Sequence, residues 1–86
     1  MNFSVVDPNE LLQGKLFTEE TFLSAVSDHD WSVYADKKVL VRGCGSTIIP
    51  PWAFMVLTGR LSEVAQSIRY GNEHDHVVVF RKKKEK

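Results

Sequence analysis

Lys38-Val39-Leu40-Val41-Arg42 reads as a buried strand: three adjacent aliphatic residues closed at each end by a cation. Gly43-Cys44-Gly45-Ser46-Thr47 follows as a glycine-bearing loop, and from Pro51 onward the pattern is helical. Strand, loop and helix in that order define an α/β unit. They place Cys44, the only cysteine, at the carboxyl edge of a sheet, where such folds put ligand sites.

Downstream, Ser67-Ile68-Arg69-Tyr70 reads as the next strand after a helix spanning about residues 51–65. Strand, helix, strand implies a crossover between parallel neighbours. Gly71-Asn72-Glu73-His74-Asp75 is a turn and His76-Val77-Val78-Val79-Phe80 a last strand, close enough to the one before it for an antiparallel hairpin. Upstream, residues 2–6 suit a short strand. Asp7-Pro8-Asn9-Glu10 starts a helix, with Asp7 as cap, Pro8 at the first position and Glu10 placed to close a capping box; Gly14 ends it. Thr18 caps a second helix with Glu19 and Glu20 in its first turn and Phe22, Leu23, Ala25 and Val26 facing inward. That helix stops near residues 27–30, and Trp31 and Tyr34 are expected to cover the edge of the core. The sum is a two-layer α/β domain, bordering on α+β, with helices packed on a small mixed sheet. It occupies residues 1–80 and is followed by a basic tail, 81–86.

Composition agrees with one ordinary globular unit: 86 residues, 43% hydrophobic and 26% charged. A domain of this size buries only about 60–65% of its unfolded surface, so a partner that covers more would stabilise it. No run approaches the roughly 20 apolar residues of a membrane span, and no leader pattern opens the chain. A single cysteine makes no internal disulfide, which fits a cytoplasmic protein. The formal net charge of zero conceals an asymmetry. Residues 1–36 hold seven acids against Lys15, whereas the tail Arg81-Lys82-Lys83-Lys84-Glu85-Lys86 is basic. No aromatic residues interleave with that tail, so it reads as a solvated end of the last strand rather than a nucleic-acid contact.

The helix from Pro51 has apolar residues on two flanks. Ala53, Phe54, Leu57, Leu61, Val64 and Ala65 share one stripe, which packs on the sheet. Trp52, Met55, Val56 and Gly59 fall on the other side, at i, i+3, i+4 and i+7, where charge is expected. Gly59 inside a helix costs about 1 kcal/mol relative to alanine, which suggests the close approach of another backbone. Two readings follow: the second helix of the same chain covers this flank, or the helix meets its own copy in a homodimer anchored on Trp52.

Specific chemistries mostly fail on spacing. Cys44 has no second cysteine, and Pro50, six positions on, stands where a cysteine phosphatase loop needs arginine. Gly43-x-Gly45 lacks the third glycine of a dinucleotide fingerprint; there is no Walker lysine and no G-x-S-x-G elbow. What survives is a thiol- or metal-dependent site: Cys44 as nucleophile with His74 as base, or Cys44, His74 and His76 as metal ligands, with the amides of Ser46 and Thr47 as anion donors. His74 and His76 are two apart and would share one side of an extended segment. The ordinary explanation sets a buried thiol against solvent-facing histidines. It gives the absence of a cofactor precedence over zinc.

Gly14, Phe22, His29-Asp30-Trp31-Ser32 with Tyr34, Cys44, Pro50, Trp52-Ala53-Phe54-Met55, Ser67 and Tyr70-Gly71 form an ordered set running from about Asp7 to Gly71. The set resembles a bacterial family defined only as a domain of unknown function, number 2480. The resemblance implies longer members with two related α/β copies in tandem, so that a one-copy chain would pair with itself. It also implies a cysteine soon after the Tyr-Gly turn, where this chain has His74; that exchange keeps a metal ligand but removes a dithiol or disulfide role. It implies no activity.

The sequence thus points to a small cytoplasmic α/β domain without catalytic activity that works as a homodimer and interaction module through Trp52, Met55, Val56 and Gly59. The site at the Cys44 loop is the alternative. Whether the chain is an enzyme, and what its substrate or partner is, the sequence leaves open.

Overall fold

A computed structural model describes residues 3–43 and 48–83. Four strands, β1 (Ser4–Val6), β2 (Lys38–Arg42), β3 (Ser67–Gly71) and β4 (His76–Arg81), form one sheet in the order β1-β2-β3-β4. The pairs β1–β2 and β2–β3 are parallel, and β3–β4 is antiparallel. The mixed α/β sheet, the parallel crossover and the closing hairpin expected from the sequence are therefore present.

The helices are α1 (Pro8–Leu11), α2 (Glu19–Asp28) and α3 (Pro51–Leu61), with a 3-10 turn at Trp31–Tyr34. Asp7 caps α1 by accepting from the Asn9 amide at 2.9 Å, and Pro8 follows at the first position. Glu10 closes no box there. The box appears instead on α2, where the Thr18 hydroxyl accepts from the Thr21 amide at 3.0 Å and the Thr21 hydroxyl accepts from the Thr18 amide at 2.9 Å.

One core lies between the helices and one face of the sheet. Val6, Val39, Val41 and Ile68 supply the strand side; Phe22 and Val26 of α2 and Ala53, Leu57 and Leu61 of α3 supply the helix side. Leu23 departs from expectation: it is 40% exposed, and α2 buries only Phe22 and Val26. A short helix across a narrow sheet contacts it along one i, i+4 line, and Leu23 falls beside that line. Helix α3 is also shorter than its apolar pattern. After Leu61 the Ala65 amide bonds to the Leu61 carbonyl at 2.8 Å, and the Gln66 amide must reach the Lys37 carbonyl (2.9 Å) to start β3.

Among the described residues the opposite sheet face carries no helix. Val5, Leu40, Arg69 and Val78 lie in register across it. Leu40 is nonetheless fully buried. The Phe3 side chain, at the β1 edge, reaches across to β4, where its ring meets that of His76 at 5.3 Å, and the Arg69 guanidinium stands 5.5 Å over the Phe3 ring. An N-terminal aromatic residue and an arginine stem thus take the place of a second helical layer.

Candidate functional site

The carboxyl edge of the parallel strands is held by one arginine. Arg42 ends β2; its Nη1 stands 3.5 Å from Asp7 Oδ2, and its Nη2 donates to Glu73 Oε2 in the β3–β4 turn. The hydrogen bond from Arg42 holds the Glu73 carboxyl below the usual carboxylate range, and the same bond raises Arg42. Asp7, the cap of α1, is nine-tenths buried as a side chain. Every charge in this trio has a partner, so the arrangement clamps three chain segments together. The sequence signal was visible in the cation that closes an aliphatic strand, and Arg42 was not singled out.

Two glycines follow from the same edge. The Gly43 amide donates to the Gly71 carbonyl at 2.9 Å, which brings the start of the cysteine loop beside the β3–β4 turn. A Cβ on Gly43 would stand 2.7 Å from the Tyr70 ring, so glycine lets that ring lie over the backbone. Gly71 has φ +139°, and a Cβ there would collide with the Asp75 carbonyl oxygen.

Cys44, Ser46 and Thr47 lie outside the described residues. His74 is exposed in a turn that is closed by the Asn72 side chain, whose Oδ1 accepts from the amides of His74 (2.8 Å) and Asp75 (2.9 Å). Because that segment is bent, the alternation that would place His74 and His76 on one side does not operate. His76 faces the helix-free side, where its Nδ1 accepts from Arg69 Nη1 at 3.4 Å. Among the described residues no group of three or more His, Cys, Asp and Glu side chains is gathered to hold a metal ion.

The segment His29-Asp30-Trp31-Ser32 with Tyr34 forms a clasp at the end of α2. Trp31 Nε1 donates to the Val26 carbonyl at 2.9 Å, and His29 Nε2 lies 2.9 Å from Tyr34 Oη. Asp30 accepts from both the amide and the hydroxyl of Ser32, and the hydroxyl bond lowers its pKa. Burial pushes the Tyr34 phenol up. Trp31 and Tyr34 pack against the core, as their position in an aromatic linker suggested. The residues Asp7, Glu10, Glu20 and Asp28 border an acidic groove of about 490 Å³ beside this clasp.

The outward flank of α3 is divided by the fold. Trp52 packs its ring on Phe17 (5.8 Å) and, edge to face, on Phe22 (5.6 Å), and is 38% exposed. Val56 is partly buried against the core. Met55, by contrast, is 73% exposed, and a Cβ on Gly59 would meet nothing within 4 Å. Among the described residues no other part of the chain approaches that glycine. Phe54 turns toward β3, where its ring meets Tyr70 edge-on at 5.1 Å. Between α3 and β4 runs an open apolar groove of about 660 Å³, bordered by Met55, Gly59, Phe54, Tyr70, Val79 and Phe80. Val77 and Val78 are exposed next to it.

The molecule is thus a small α/β sheet protein with one helix-covered face, a charge-clamped carboxyl edge and an apolar surface from α3 to β4. The chain belongs to the family described as protein of unknown function (DUF2480), whose model matches residues 2–84. The resemblance carried by the Trp31, Trp52 and Tyr70-Gly71 segments is borne out by that match. No curated protein and no solved structure matches the chain. Among the described residues no helix is long and apolar enough to cross a membrane.

Proposed function

We propose that this chain is a non-catalytic module that binds a second copy of itself through the outward flank of α3 and the adjoining surface of β4. A single observation carries the reading: Met55, Gly59, Val79 and the groove between them make a continuous exposed apolar surface where a helix on a sheet should present charge. Trp52 lies on the α2 side of α3, anchored by Phe17 and Phe22, and its exposed part extends the contact to the partner. Val56 supports the helix from beneath. The residues lining the groove include no carboxylate, lysine, arginine or histidine, which suits burial against a like surface without an unpaired charge. The lone cysteine suits the cytoplasm as the place of action.

The test is light scattering on purified protein at micromolar concentration. Wild type is expected to elute as a dimer and Met55→Glu as a monomer with unchanged helical circular dichroism, because Met55 makes little contact within its own chain. A Met55→Glu protein that remains as dimeric as wild type would remove the reading.

A further inference from the structure

The helix-free face of the sheet gathers cations. Across the registers of β2, β3 and β4, Lys38, Ser67 and Arg81 make one row, Leu40, Arg69 and Val78 the next, and Arg42, Gly71 and His76 the last. No position in these rows is acidic. Arg42 is neutralised by Asp7 and Glu73, whereas Lys38, Arg69 and Arg81 have no carboxylate partner among the described residues. Lys38 and Arg81 are exposed and stand two strands apart, ~10 Å, across the small, buried Ser67. Like charges that share a sheet face repel, so the folded chain holds an uncompensated positive field there.

Arg69, at the centre of these rows, supplies a second observation. Its Nε is buried and has no hydrogen-bond partner among the described residues. Its Nη1 reaches only the His76 ring, at 3.4 Å, and its guanidinium lies 5.5 Å over the Phe3 ring. A partly buried cation without an anion is costly, and an unsatisfied buried donor marks the place of a further partner. Phe3, Arg69 and His76 are all partly exposed, so ring and guanidinium surface reaches solvent beside the unpaired cations. We infer that this face binds single-stranded nucleic acid, with phosphates at Lys38, Arg69 and Arg81 and bases stacked on the Phe3–Arg69–His76 cluster. The cations spread over three strands instead of converging, which fits a chain of anions rather than one. The aromatic cluster sets a nucleic acid apart from an acidic peptide. The basic tail has no aromatic residues of its own; the fold brings Arg81 to the face that carries them.

This face lies across the sheet from α3, so the inference stands apart from the self-association reading. The experiment is fluorescence anisotropy of the full chain with labelled oligothymidylate in about 0.1 M salt, where close ionic contacts survive screening. Wild type is expected to bind, with log Kd rising against log salt at a slope of about 2, the value for roughly three phosphate contacts. Lys38→Gln and Arg81→Gln, both at exposed positions, should each weaken binding several-fold and lower that slope by about 0.7. Arg69→Met, which keeps an apolar stem over the sheet, should weaken binding about tenfold. Lys15→Gln, on the α1–α2 side, should leave it unchanged. An abasic strand of equal length and polyglutamate both offer anions without bases, and each should bind at least about tenfold more weakly. No binding by wild type, or variants at Lys38, Arg69 and Arg81 that bind like wild type, overturns the inference. Equal affinity for polyglutamate would make the face a site for acidic protein, and equal affinity for the abasic strand would remove the stacking; either result overturns it too.

Discussion

Gly71 is the described glycine with the least freedom to change. Its φ of +139° and the Asp75 carbonyl together exclude a side chain, so the β3–β4 hairpin depends on glycine there. Gly71→Ala should cost more than about 1 kcal/mol in a urea titration. An unchanged midpoint would show that the hairpin has another way to turn. Gly43 is a milder case, since the Tyr70 ring that blocks it belongs to a side chain and can yield. Tyr70-Gly71 carried part of the family resemblance without an explanation. The structure supplies one: the ring covers Gly43 while the glycine turns the chain. In the sequence, Gly43 looked like part of a ligand loop because the close-packed ring of Tyr70, far along the chain, cannot be seen from local spacing. Trp31 and Tyr34, whose partners lie within a few residues, were legible in advance.

Among the elements, the caps and the parallel crossover were readable because they depend on local chemistry and period. The helix-free sheet face was not. Its cover comes from Phe3, which lies outside the regular strand, and from Arg69, a charged residue in mid-strand whose stem does apolar packing. Phe3→Ala should uncover Leu40 and destabilise the domain by about 1.5–3 kcal/mol, measured by chemical denaturation. A loss below about 0.5 kcal/mol, the range of a surface substitution, would mean that Phe3 only rests on that face. The clamp of Asp7, Arg42 and Glu73 predicts an acid response. Because the Arg42 bond lowers the Glu73 pKa in the folded chain, the unfolded chain binds more protons at mildly acid pH. The clamp's contribution is complete above the ordinary carboxylate pKa of about 4.3 and is lost as pH falls through the lowered value. Glu73→Gln should therefore lower stability near neutrality and converge on wild type at pH below the lowered value, which flattens the acid limb of stability against pH. Parallel curves for the two proteins would contradict the clamp.

For the molecule as a whole, the sequence showed that α3 is apolar on two flanks but could not divide the second flank between core and surface. Trp52 was the expected anchor. It turned out half covered because Phe17, in the segment between α1 and α2, folds back over the helix start. Met55 and Gly59 kept the exposure that the spacing implied. The exposure of β4 was not anticipated because Val77, Val78 and Val79 read simply as a last strand; that exposure depends on β4 lying at the end of the strand order. A chain of 9.8 kDa with this much apolar surface gains stability by covering it. Sedimentation equilibrium of the wild-type chain over a micromolar concentration series tests that most directly. The account predicts a mass converging on twice 9.8 kDa as concentration rises. A mass that stays at 9.8 kDa throughout would contradict it.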